Sequence, residues 1–231
     1  MKDFFSFLSG SASISPSTAI RSKIKLIVII LPIMFFVVVF TLLLQILLIK
    51  LEITQPVQSS GMIPDYMRSM SRFRVILEMV FLAPFLEETA FRGLLQKKTG
   101  WFRISLMSIV YLLICRVFGI NFYEVSLSTI LALICGLLTL SIPTKNIDSA
   151  IIFLQIRSRR IILIWAGAFL FALWHYYNFD FSGTGLLTIA VTLLPFMING
   201  LLFAYIATKN GLQWSIFLHM ANNLWPMIIW L

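Results

Sequence analysis

The chain has 231 residues, 60% of them hydrophobic and 12% charged, with a mean hydropathy of +0.96. A soluble domain averages about 45–50% apolar and about 25% charged residues, so this sequence lacks the polar surface that water requires and reads as a membrane protein. Two cysteines in an oily chain exclude a disulfide scaffold and a disordered segment. The formal charge of +9, from 18 basic and 9 acidic residues, lies in short clusters between apolar runs, a pattern of membrane topology and not of nucleic-acid binding.

Residues 1–25 read as a cytoplasmic N-terminal segment that is not cleaved, because no compact apolar core precedes a small-residue cleavage site. A bilayer core takes about 20 apolar helical residues, and residues 26–49 carry no charge between Lys25 and Lys50, giving the first span. Residues 50–72, with Pro56, Gly61, Pro64, Asp65 and Arg68, form a loop. A second span over 73–96 is apolar in outline but holds Arg74, Glu78, Glu87, Glu88 and Arg92. Further spans are expected at 104–120, 124–143, 161–179, 186–208 and 212–231, with a short interfacial helix at 144–160 ending in Arg157, Arg159 and Arg160. The fold class is therefore an all-α polytopic membrane helix bundle of about seven spans in a single domain.

Under the positive-inside rule, an N-terminus in the cytoplasm puts Lys2, Arg21, Lys23, Lys25, Lys97, Lys98, Arg103, Lys145, Arg157, Arg159, Arg160 and Lys209 inside. Lys50, Arg68, Arg72 and Arg116 fall outside, so the count favours N-in and C-out in the cell (plasma) membrane.

An ionisable group in mid-helix costs about 2.5–3.5 kcal/mol on insertion scales and therefore needs a partner or a task. Glu88 and Arg92 share a helical face at i, i+4 and can pair, as can Arg74 and Glu78 nearer the end of the span. Glu87 points about 100° away from Glu88 and is left as the unpaired carboxylate. The chain's two histidines both fall in expected spans: His175, and His219 with Asn223 one turn further on. If those helices pack, Glu87, His175, His219 and Asn223 converge on a wet pocket where a carboxylate and an imidazole take a proton from water and an amide and a second imidazole hold an oxyanion. Each residue alone is equally at home as interhelical hydrogen-bonding glue. A His-Glu-x-x-His helix, a pair of aspartates within the spans, and a Gly-x-Ser-x-Gly elbow are all missing, which leaves glutamate and histidine to carry a hydrolysis.

Three motifs in order, Glu87-Glu88-Thr-Ala-Phe-Arg92, Phe171-Ala-Leu-Trp-His175 and His219-Met-Ala-Asn-Asn223, resemble the CAAX-prenyl-protease and bacteriocin-processing (CPBP, or Abi) family of intramembrane proteases. The resemblance spans roughly residues 73–228, the expected catalytic helix core. It implies that Glu87 and His175 activate water, that His219 and Asn223 form the oxyanion side, and that Glu88 and Arg92 support the site. Gly200-Leu-Leu-Phe-Ala204 resembles the family's small-residue segment, with alanine in place of a second glycine. The resemblance implies a membrane-associated or lipid-modified peptide substrate; Glu87, His175 and His219 are also a candidate zinc set, and the sequence does not choose between a metal-free and a zinc-dependent site. Because some members are named for self-immunity, a non-proteolytic immunity or binding protein of the same fold is the alternative.

Overall fold

The computed structural model describes residues 2–10, 19–59 and 70–230; Asp65 and Arg68 of the first loop lie outside them, as does Leu231. The chain is an all-α membrane bundle. Helix α1 is Lys2–Leu8 and α2 is Ile20–Lys50. The segment expected as the second span is composite and is not among the helices long enough to cross a membrane: α3 (Arg72–Ile76), a π-helical turn (Leu77–Leu82), α4 (Ala83–Arg92) and a 3₁₀ turn (Gly93–Leu95). Then come α5 (Thr99–Val117), α6 (Leu127–Leu138), α7 (Thr144–Leu154), α8 (Arg157–Trp174), α9 (Leu186–Lys209) and α10 (Leu212–Trp230). Two short strands, β1 (Gln58–Ser59) and β2 (Phe179–Asp180), pair antiparallel.

Four helices, α2, α5, α8 with its following turn, and α9, are long and apolar enough to cross a membrane among the described residues. A fifth is added if the bent pair Leu127–Ser141 and Thr144–Leu154, which meet at 89°, is one broken span. The expected segment 144–160 is divided in the structure. Its helix ends at Leu154, and Arg157, Arg159 and Arg160 open α8 instead. A two-residue helix break at Gln155–Ile156 lets the basic cluster begin a long helix and leaves α7 lying across the end of α6.

Contacts between the helix ends sort the loops into two groups. At one end Asn210 donates to Lys23 O (3.3 Å), Arg157 to Ser9 O (3.3 Å), Gln96 to Ala207 O (3.1 Å) and Gln155 to Leu95 O (3.4 Å). Lys209 pairs there with Asp3, which holds that carboxyl below the usual aspartate range and pins α1 to the end of α9. At the other end the β1–β2 ladder forms, Gln55 N donates to Thr188 Oγ1 (3.3 Å) and Arg116 to Trp174 O (3.3 Å).

Helix α9 sits at the centre. Asn199 through Ala207 are all buried, the mark of a helix enclosed on every side. Its core side chains meet Ile30 and Met34 of α2, Ala168 and Phe171 of α8, Leu218 of α10 and Phe7 of α1. Helix α2 does the opposite, leaving Phe36 and Phe40 well exposed, as suits a helix whose outer solvent is hydrocarbon.

Candidate active site

Glu88 and Arg92 are both fully buried, an arrangement tolerable in a low-dielectric interior only if each charge is matched. Arg92 Nη1 lies 3.1 Å from Glu88 Oε1, so the pair anticipated from the i, i+4 spacing is present. Two more groups converge on the same carboxylate: His219 Nδ1 at 3.0 Å from Oε1 and Ser215 Oγ at 2.5 Å from Oε2. The Ser215 hydroxyl also lies 2.9 Å from Phe203 O, and its single proton goes to the nearer, charged acceptor. Arg92 donates in addition to Gly200 O (3.3 Å) and is enclosed by the rings of Phe171 (4.1 Å), Phe203 (5.3 Å) and Phe91 (5.7 Å).

The small residue at position 200 has a steric reason. A Cβ there would come within 3.1 Å of Ala168 Cα and 3.2 Å of Arg92 Nη2, so glycine lets α9 approach α8 and leaves the guanidinium its carbonyl.

Glu87, on the neighbouring face, has no such web. Its Oε2 is 3.9 Å from His219 Nε2, beyond a direct hydrogen bond, and the Trp174 indole reaches the carboxylate. His219 thus stands between the two glutamates.

His175 closes α8, where the helix tightens into a 3₁₀ turn over His175–Asn178. Its Nδ1 meets Phe171 O at 2.8 Å; a carbonyl only accepts, so Nδ1 carries the proton and Nε2 keeps a lone pair in the neutral ring. Phe196 stacks on this imidazole at 4.2 Å, and Phe203 stacks on that of His219 at 4.5 Å. Phe171 lies edge-on to both, at 4.6 and 5.7 Å, which gives the phenylalanine of Phe-x-x-x-His a physical role: one ring braces two imidazoles and a guanidinium.

Asn223 is fixed by an irregularity between α3 and α4. Within the π turn Ala83 N bonds Glu78 O, so Met79 O loses its α-helical donor; its π-register partner would be Pro84, which has no N–H. Asn223 Nδ2 fills the place at 3.0 Å and retains one amide N–H.

His175, His219 and Asn223 line a single half-open cavity of about 280 Å³ between α2, α8, α9 and α10. Thr41 and Gln45 of α2 and Asn199 and Asn222 also line it. Asn199 Oδ1 is buried with no hydrogen-bond donor among the described residues, an acceptor left open beside the histidines.

Sequence reasoning missed Ser215 and the α2 wall. Ser215, His219 and Asn223 form one i, i+4, i+8 stripe, so extending the histidine motif one turn backward was the available signal for the serine. Nothing in α2 signals its role, because Thr41 and Gln45 are isolated polar residues in a long apolar run.

For a metal, the described residues contain no group of three His, Cys, Asp or Glu side chains close enough to hold an ion. Both Nδ1 atoms are engaged, one on Glu88 and one on Phe171 O, which leaves Nε2 as the free ring nitrogen of each histidine, but Glu87, His175 and His219 are not gathered into a ready ligand set.

Comparison with curated proteins and with solved structures found no match. A family model described as "Type II CAAX prenyl endopeptidase Rce1-like" matches residues 149–225, a stretch that carries the second and third motifs but begins well after Glu87 and Arg92. The first motif nonetheless folds directly onto the matched stretch through Glu88, Ser215 and His219. Over that stretch the chain is similar to the Rce1-like family of CAAX prenyl endopeptidases.

Proposed function

We propose that the protein is an intramembrane endopeptidase that hydrolyses a peptide bond in a membrane-associated or lipid-modified peptide, with Glu87 as the base. The observation that carries this reading is the shared cavity: two imidazoles and an amide on one wall system, with a carboxylate on its His219 side. The substrate class comes from the family's description and from a site reached through apolar helices.

In this mechanism a water sits between Glu87 and the lone pair of His175 Nε2, each accepting one of its protons. Glu87 takes a proton as the water oxygen attacks the peptide carbonyl carbon. The carbonyl oxygen becomes an oxyanion and is met by the remaining Asn223 N–H and, when the ring is protonated, by His219 Nε2–H. As the C–N bond breaks, Glu87 returns its proton to the leaving nitrogen. Glu88, tied to Arg92 and Ser215, keeps His219 turned toward the reaction, and Asn199 Oδ1 offers an acceptor to a substrate backbone N–H.

The test is cleavage of a peptide carrying a lipidated cysteine near its C-terminus by the purified protein, with and without chelator, beside Glu87→Gln. Cleavage abolished by the substitution supports the assignment. Normal cleavage by Glu87→Gln removes Glu87 as the base, and loss of cleavage on chelation returns the metal to the site. A protein that never cleaves, yet protects a cell from a peptide toxin as well with Glu87→Gln and His175→Ala as without, is the immunity protein of the alternative reading. The N-in orientation belongs to the same proposal, and a reporter fused after Leu231 is expected on the outer face.

A further inference from the structure

A second cavity, about 340 Å³, lies on the other side of α8, between it, α4 and α5, and the proposed chemistry makes no use of it. Its volume falls in the range of small-molecule sites, about 300–1,000 Å³. Its walls are hydrocarbon, from Phe91 and Leu94 through Leu112 and Leu113 to Leu170 and Trp174. Leu113 and Leu170 are 56% and 52% exposed, so the groove opens sideways to the bilayer and not into the bundle.

The lining contains one charge, Arg116, in the last turn of α5. Its guanidinium is boxed by Trp174 (4.0 Å), Tyr177 (4.5 Å) and Phe122 (5.2 Å) and donates to Trp174 O. A cation near a helix C-terminus is favourable on its own account, and the rings add to that. Neither neutralises it. Among the described residues no carboxylate lies within ion-pair distance of Arg116; Glu87 is felt only electrostatically. Arg92, the other arginine between these helices, has its own glutamate.

An apolar trough that opens to lipid and ends on an unneutralised guanidinium near a helix end has the charge and shape of a lipid site, with a basic pocket between membrane helices recognising the headgroup. We infer that the groove between α4, α5 and α8 holds one acyl chain of an anionic phospholipid whose phosphate rests on Arg116. The inference is independent of the peptidase reading, because it concerns a bound lipid and not a reaction.

The test reconstitutes the purified protein in phosphatidylcholine vesicles doped with a photoactivatable phosphatidylglycerol or, in parallel, the matching phosphatidylcholine probe, and maps the labelled residues. Labelling is expected at 109–116 and 163–177, with the anionic probe favoured about fivefold, the preference one basic residue near a membrane surface confers. Arg116→Gln should bring the two probes level while keeping the labelled positions, and Leu113→Trp, which fills the trough, should reduce labelling by both. Phe40→Trp, on the exposed face of α2, should change neither. Equal labelling by the two probes in the wild type, labelling spread evenly over α2, or an unchanged ratio in Arg116→Gln each overturns the proposal. The headgroup ratio is read within one preparation, so a variant of lowered stability still reports it.

Discussion

Helix α8 separates two cavities of similar size and opposite character. Phe171 and His175, one turn apart, face the cavity that holds both imidazoles, whereas Leu170, Trp174 and Tyr177 face the apolar groove. Two arginines pack against aromatic rings of this helix, and they are satisfied differently. Arg92 is matched inside the protein by Glu88 and a carbonyl, while Arg116 has rings and a carbonyl but no acid within reach among the described residues. The lesson is that burial alone does not mark function here. Glu88 and Arg92 are the most deeply buried ionisable residues and read as scaffold, whereas His175 Nε2, Asn199 Oδ1 and the Arg116 charge lie along the cavities and Glu87 stands beside His219.

The largest expected effect tests that division directly. Glu87→Gln should lower cleavage by about 10²–10⁴-fold, the usual contribution of a positioned base, with little change in melting temperature. Glu88→Gln should do the reverse in emphasis, destabilising the fold by about 3–5 kcal/mol because Arg92 is left buried without its counter-charge. Thermal unfolding in detergent, compared with turnover of the surviving folded fraction, distinguishes them. If the two variants exchange signatures, the base and the scaffold have been assigned the wrong way round.

Much of this was legible in the letters, and the boundary of legibility is physical. The i, i+4 spacing gives the Glu88–Arg92 pair because both ends lie on one helix. The His219–Glu88 contact bridges 131 positions, and no periodicity within α4 or α10 encodes which glutamate the ring will meet. Similarly, the sequence shows Pro84, but that its missing N–H would leave Met79 O for Asn223 depends on the π turn before it. The segment 144–160 looked continuous because its apolar and basic residues suit an interfacial helix. The break after Leu154 is set by α7 crossing α6 and α8 beginning afresh, both tertiary facts.

A smaller effect sharpens the role of the residue the motifs did not include. Ser215→Ala removes one of the two hydrogen bonds to the Glu88 carboxylate, worth about 1.5–3 kcal/mol for a hydrogen bond to a charged group. If Ser215 only packs, Ala and Thr variants should behave alike. As a positioning residue it should instead show a lowered kcat and a shifted pH–rate profile in Ser215→Ala, both restored in Ser215→Thr, which keeps the hydroxyl. Matching profiles for wild type and alanine variant would reduce the serine to filler.

The smallest expected effects come from two glycines, one on each side of α8. At Gly167 an added Cβ would stand 2.9 Å from Phe91 O, a backbone atom of α4, so the two helices must move apart on the groove side. At Gly200 the nearest atoms are at 3.1–3.3 Å and include the end of the Arg92 side chain, so a shift of a few tenths of an ångström relieves it. Overpacking costs about 1–3 kcal/mol, and Gly167→Ala should fall toward the upper part of that range and Gly200→Ala toward the lower. Their functional consequences should be opposite in order. Gly200→Ala presses on the guanidinium that holds Glu88, and through Glu88 on His219, so it should lower kcat despite its milder cost in stability. Gly167→Ala should lower the melting temperature more and spare kcat, because what it widens is the apolar groove. Paired melting and turnover measurements on the two variants decide this, and a kcat loss that follows the stability loss in both would mean that the two sides of α8 are not mechanically separate.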